Sequence, residues 1–194
     1  MKSTRTYTMT ARAEAAERTR VGILEAAVRL AGTRRLADIS LDDIAVDAGV
    51  SVQTVLRRFG SRAGLIEAAT LHAIEEVHEE RLAPVGDVAA AVDVVVDHYE
   101  LRGDGVILLL AQESADPQVR RITDNGRRLH REWVETVFAP YLPDSHALRT
   151  RLVDLLAVAT DVYTWKQLRR DRGLDRITTT QRIHDLVAAL IPQE

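Results

Sequence analysis

Residues 41–59 read LDDIAVDAGVSVQTVLRRF, and the fold turns on how this stretch is read. Ser40 stands where a helix N-cap belongs. Asp43, three residues on, can reach back in a capping box and favours the positive end of the helix dipole. Ala45 is small and sits mid-helix, where a second helix can cross closely. Gly49 falls where the helix must stop in a left-handed conformation. Val50 anchors the turn, and Ser51 caps a second helix that carries Val55, ten residues beyond Ala45. Two helices joined by a three- or four-residue turn satisfy all of these signals. An ordinary helical hairpin within a bundle is the plainer alternative.

At about 100° per residue, Val52, Val55 and Phe59 gather on one side of the second helix and are expected to pack inward. Gln53, Thr54 and Arg57 then point most directly away, with Leu56 and Arg58 on the flanks. Such a face suits the major groove: Gln pairs with adenine, Arg with guanine, and Thr touches a thymine methyl or a phosphate. A merely solvated face is the competing reading. Just beyond, Phe59-Gly-Ser-Arg62 makes a second tight turn, with Ser61 capping the next helix. Free amides plus the Arg62 guanidinium form a natural phosphate clamp, and Ser40 can hold another phosphate in the same way. The candidate DNA contacts are therefore Ser40, Ser51, Gln53, Thr54, Arg57, Arg58, Ser61 and Arg62. Arg34 and Arg35, on the preceding loop, fit either backbone contacts or solvated charge.

Outward from this segment almost everything reads as helix, since Pro and Gly are few and no alternating apolar pattern marks a sheet. Residues 1–9 are expected to be a loose arm. A first helix over about 10–31 carries the stripe Ala16, Ile23, Ala27, Leu30 and Ala31. Helix four runs from Arg62 into the acidic run Glu75, Glu76, Glu79 and Glu80, and Pro84 and Gly86 follow. Further helices are expected near 87–102, 105–115, 117–138, 145–171 and 178–191, punctuated by Gly103, Pro117, Pro140, Pro143 and Gly173. The expectation is an all-α chain of about nine helices. Residues 10–70 would form a three-helix DNA-binding domain and 71–194 a helical domain for ligand binding and dimerisation.

Composition narrows the classes. Apolar residues make up 46% of 194, enough for a core, but aromatics only 4%, so the core rests on Leu, Val, Ile and Ala. Without cysteine there is neither disulfide nor thiolate metal site. No secretory signal or membrane-spanning run is read, which makes the cytoplasm the expected location. The net charge of −3 hides an asymmetry: residues 1–62 hold 11 basic and 7 acidic residues, the remainder 15 and 22. A basic end beside an acidic remainder fits a polyanion partner at one end only.

Ser40 to Leu65, with the helix from Arg18 upstream, resembles the DNA-binding domain of the tetracycline-repressor (TetR) family over roughly residues 12–70. The motifs are Ser-Leu-Asp-Asp-Ile-Ala, Ala-Gly-Val-Ser, Thr-Val and Phe-Gly-Ser-Arg. The chain departs from that pattern at Leu56 (usually Tyr), Arg58 (His or an aromatic), Arg62 (Lys) and Arg35 (Gly). The Tyr commonly touches a phosphate, a contact Arg57 and Arg58 could supply instead. The resemblance implies a helical sensor domain and a homodimer formed by the last two long helices. It implies a ligand-responsive regulator, most simply a repressor on a palindromic operator of double-stranded DNA, released by a small molecule.

The sequence is compatible with that dimer. Leu148, Leu152, Leu155, Leu156 and Ala159, then Ile183, Leu186, Val187 and Leu190, form apolar stripes that serve either an interface or an internal core. The large side chains available to line an effector pocket are His98, Tyr99, Trp133, Phe138, Tyr163 and Trp165, and Asp97, Arg102 and Glu113 could orient a polar group of the ligand. The run Val106–Ala111 suggests an apolar wall and an acyl-like effector. No HExxH, nucleophile elbow or phosphate loop is present, so no enzyme is read. His72 and Glu76 share a helix face of the kind that is normally solvated, so neither metal nor cofactor is expected. The rival class is a helical enzyme or interaction module with a purely structural helix-turn-helix.

Overall fold

A computed structural model describes the backbone of residues 3–191 and side chains from residue 13 on; residues 1–2 of the expected arm lie outside the described part. Among the described residues all regular structure is helical. The chain divides into two compact units, Met1–Glu75 and Glu76–Glu194, and the division falls within one helix. None of the described helices is long and apolar enough to cross a membrane.

The first unit holds α1 (Ser3–Ala31), α2 (Leu41–Asp47), α3 (Val52–Phe59) and most of α4 (Arg62–Glu80). Because neither Pro nor Gly interrupts residues 3–21, α1 begins inside the stretch expected as a loose arm. Its Ile23, Leu24, Ala26 and Ala27 are closed to solvent, as are Leu36, Ile39, Ile44, Ala45, Val55, Leu65 and Ile66 of the same unit. Full burial of one Ile or Leu contributes about 1.5–3 kcal/mol. Ala16, Leu30 and Ala31 of the expected stripe are only half-buried.

The second unit is built on α5 (Val88–Leu110), α6 (Pro117–Val137), α7 (His146–Ala159), α8 (Val162–Lys166) and α9 (Arg176–Leu190). Asp87, Asp116, Asp161 and Asp175 cap α5, α6, α8 and α9 by accepting amide hydrogen bonds. Two boundaries differ from expectation. Gly103 does not end a helix: α5 runs straight through it, and the missing side chain admits the Trp165 ring, which a Cβ would meet at 2.5 Å. The helix expected over 145–171 is broken instead. At its break the Thr160 hydroxyl donates back to the Leu156 carbonyl at 2.8 Å, and Asp161 caps a new helix by accepting from the Tyr163 amide. Trp165, Phe138, Val95, Leu156, Ile183 and Val187 centre the core, in which α5 packs on α6, α8 and α9, and α7 on α6 and α9.

Candidate nucleic-acid interface and the second unit

The turn between α2 and α3 is built by backbone chemistry. Ser40 and Asp43 form a full capping box: the Asp43 amide donates to Ser40 Oγ at 3.1 Å, and the Ser40 amide donates to Asp43 Oδ2 at 2.8 Å. Hydrogen bonds from Ser40 and then Arg34 hold the Asp43 carboxyl far below the usual carboxylate range. At the other end of α2, Gly49 takes φ 65°. Its amide donates to the Val46 carbonyl at 3.1 Å and that of Val50 to Ala45 at 2.9 Å, the two bonds of a Schellman stop. Ser51 then opens α3 by accepting from the Thr54 amide at 3.2 Å.

This geometry sets the outward face of α3. Val55 is fully buried, Val52 and Phe59 are half-buried, and Gln53 and Arg57 are exposed. Among the described residues neither Gln53 nor Arg57 makes a hydrogen bond or ion pair, and Arg35 is likewise unengaged. Arg58 is half-buried with its Nε unbonded. Thr54 is half-buried, its hydroxyl 2.9 Å from that of Ser51.

Several expected phosphate contacts are engaged within the unit. Arg62 turns inward: its Nε donates to the Ile39 carbonyl at 3.0 Å and its Nη2 to that of Leu36. The guanidinium thereby satisfies the loop before α2, and what remains free at the start of α4 is backbone. Ser40 spends its hydroxyl on Asp43 at 2.6 Å, and Ser61 Oγ accepts from the Gly64 amide at 3.1 Å. Arg34 donates to Asp43 and the Asp38 carbonyl, so of the loop pair Arg35 alone is available. No local sequence signal marks Gly64, yet a Cβ there would meet the Phe59 carbonyl oxygen at 2.5 Å. The Phe-Gly-Ser-Arg turn therefore needs a bare α-carbon five residues after Phe59.

With the geometry in hand, the family described as bacterial regulatory proteins, tetR family, matches residues 23–69. Over those residues, which hold the helix-turn-helix, the chain is similar to that family. The HTH-type transcriptional regulator AlkX of Mycobacterium tuberculosis is 35% identical over 101 residues, 52% of this chain and 44% of that protein. The chain thus aligns with less than half the length of that relative. A tetR-family transcriptional regulator of Streptomyces coelicolor has the same fold, with TM-score 0.69 and 22% identity over 90% of this chain and 80% of that one. So does a putative transcriptional regulator of Saccharomonospora viridis solved in complex with choline, with TM-score 0.64 and 18% identity over 92% and 100%.

In the second unit, most of the residues expected to line a pocket are engaged with other side chains or packed in the core. His98 and Arg102 both bind Glu80, at 2.9 and 2.8 Å, and Arg102 also reaches Glu76. Burial, with Arg81 adding to it, pushes His98 down to about 4, so a neutral ring donates from Nδ1. Burial alone would raise Glu80, but hydrogen bonds from Arg102 and His98 outweigh it and hold the carboxyl low. Tyr99 donates to the Thr160 carbonyl at 3.0 Å beside Trp165, and burial raises its phenol. Glu113 binds Thr123 and Arg127. Trp133 stacks on His130 and meets the edge of the fully buried Phe138, while Tyr163 is 54% exposed. Asp97 pairs with Arg176 at the surface. Val106, Ile107 and Leu110 pack against the core. A cleft of about 430 Å³ is lined by Arg127, Arg128, His130 and Arg131 of α6 and by Ala157, Val158 and Asp161. His130, Asp161 and the adjoining Arg81 were not singled out from sequence. Arg81 follows an acidic run that reads as solvated.

Proposed function

We propose that this chain is a DNA-binding transcription regulator, a repressor that holds a palindromic operator as a homodimer and is released by a small molecule. The observation that carries this is the outward face of α3. Gln53 and Arg57 stand exposed and unpaired on a short helix whose start and approach are fixed by Ser51 and Gly49. Side chains without internal partners on a rigid helix are what base-edge readout requires. Arg58, Arg35 and the amides at the start of α4 serve the phosphate backbone in this reading.

One recognition helix makes few base contacts, and two spaced about 34 Å apart read a palindrome. The second unit offers a surface for pairing. On α7 Leu148, Leu155 and Val158 are 54%, 41% and 66% exposed, and Leu186 of α9 is 45% exposed. Apolar positions grouped on two neighbouring helices suit a four-helix interface with a second copy. The sensor role of residues 71–194 and a cytoplasmic location belong to the same reading. Since α4 starts in the first unit and ends in the second, an effector that favours one setting of α4 can alter operator affinity.

Selection of bound duplexes from a random pool, followed by a mobility-shift assay, tests the reading. Sub-micromolar binding to a palindrome by a dimer is expected. Binding that ignores sequence overturns it.

A further inference from the structure

Arg81 directly follows α4 and is only 8% exposed. A guanidinium taken out of water needs an anion or a full set of acceptors. Arg81 has neither among the described residues. Its Nη2 lies 2.8 Å from His130 Nδ1, its carbon centre lies 4.4 Å from the Trp133 ring centroid, and its Nε is buried without a partner. The neighbouring Glu80 is occupied by Arg102 and His98. No carboxylate forms an ion pair with Arg81, and Asp161 acts on it only through space.

The unbonded Nε and the His130-bound Nη2 form one edge. Nε–H and Nη2–H lie side by side and match the two oxygens of a carboxylate. Here a neutral imidazole holds one corner of that edge and the other corner is unbonded. The imidazole accepts from Arg81 at Nδ1, and its Nε2 donates to the Ala157 carbonyl at 3.1 Å. His130, which holds the Nη2 corner, is also a wall of the 430 Å³ cleft. The mouth arginines do not select the ligand, because Arg127 is paired with Glu113 and Asp124, and Arg131 with Glu135 and Asp154.

We propose that the second unit recognises a small carboxylate, which enters by this cleft, displaces His130 and pairs with the Nε–Nη2 edge of Arg81. The ligand's apolar body lies against Ala157 and Val158. The proposal rests on the sensor reading of this unit and gives it a ligand class. It also places the ligand's charge at the end of α4.

The test uses the full chain, with sodium benzoate as probe and benzamide as its uncharged isostere. At constant ionic strength, titration calorimetry is expected to show benzoate binding at least about tenfold more tightly than benzamide. Arg81→Met keeps much of the bulk, removes the charge, and is expected to abolish that preference. If Arg81→Met does not fold, His130→Ala decides the matter. That variant leaves Arg81 without its acceptor, and benzoate but not benzamide is expected to raise its melting temperature. Equal affinity for the two probes, no benzoate binding up to about 10 mM, a preference surviving in Arg81→Met, or an equal effect of both probes on His130→Ala overturns the proposal. Any of these results with operator binding intact in a shift assay removes the carboxylate ligand and leaves the regulator reading standing.

Discussion

The Nε of Arg62 donates to the carbonyl oxygen of Ile39 at 3.0 Å, tying the first turn of α4 to the loop that precedes α2. With the second bond, to Leu36, one guanidinium satisfies two carbonyls from a loop 23 and 26 residues earlier in the chain. Hydrogen bonds from a charged donor contribute about 1.5–3 kcal/mol each where water is excluded, and Arg62 is only part-buried, so the lower end applies.

Arg62→Ala is therefore expected to lower the unfolding free energy of the first unit by about 3 kcal/mol, read by urea denaturation. Its effect on DNA binding follows that loss and does not flatten the salt dependence. A phosphate contact would reduce the salt slope by about one and leave stability alone.

Arg57→Ala and Gln53→Ala are expected to do the reverse. Neither side chain has an internal partner, so stability changes by about 0.5 kcal/mol or less. If each reads a base, operator affinity falls by about 1–3 kcal/mol, and sequence preference relaxes at one position of each half-site. Competition shift assays with single-base variants measure both effects.

Gly64→Ala places a methyl carbon 2.5 Å from the Phe59 carbonyl oxygen. That contact is with backbone and cannot be relieved by a rotamer change. A destabilisation of about 1–3 kcal/mol, with loss of operator binding, is expected. Gly22→Ala, where nothing lies within 4 Å, is the helical control, and thermal melts of the two variants side by side decide.

His98 and His130 are held at about 4 and about 3, against an ordinary 6.5, by burial and then by Arg81. A histidine with a depressed folded value favours folding fully above its unfolded value. That contribution is lost as pH falls from about 6.5 toward the folded value, because the unfolded chain binds the extra proton. Stability is expected to drop through this window in urea titrations, more gently for His130→Asn. An unchanged pH slope in that variant removes His130 as a source.

Leu155→Glu with Val158→Glu places two charges on the exposed face of α7. The expected outcome is a monomer by sedimentation, with helical content preserved and operator affinity sharply reduced.

Much of the first unit was legible because its signals are local. Ser40, Gly49, Ser51 and Ser61 act within four residues of themselves, and side-chain spacing alone turns Gln53 and Arg57 outward. What was not legible depends on distant partners. Gly103 looks like a helix end until Trp165 is seen lying on it. Arg62 looks free until the Leu36 and Ile39 carbonyls fold back toward it. The break at Thr160 and Asp161 did carry a local cue, a cap pair inside an apolar run, but the surrounding leucine periodicity masks it. Arg81 reads as one more surface charge beyond Glu79 and Glu80, and only tertiary packing encloses it.

The contact of Gly64 with the Phe59 carbonyl leaves no slack where α3 hands over to α4. On the proposed reading, the register between the base-facing helix and its successor is therefore fixed by main-chain packing, which no replacement side chain can imitate.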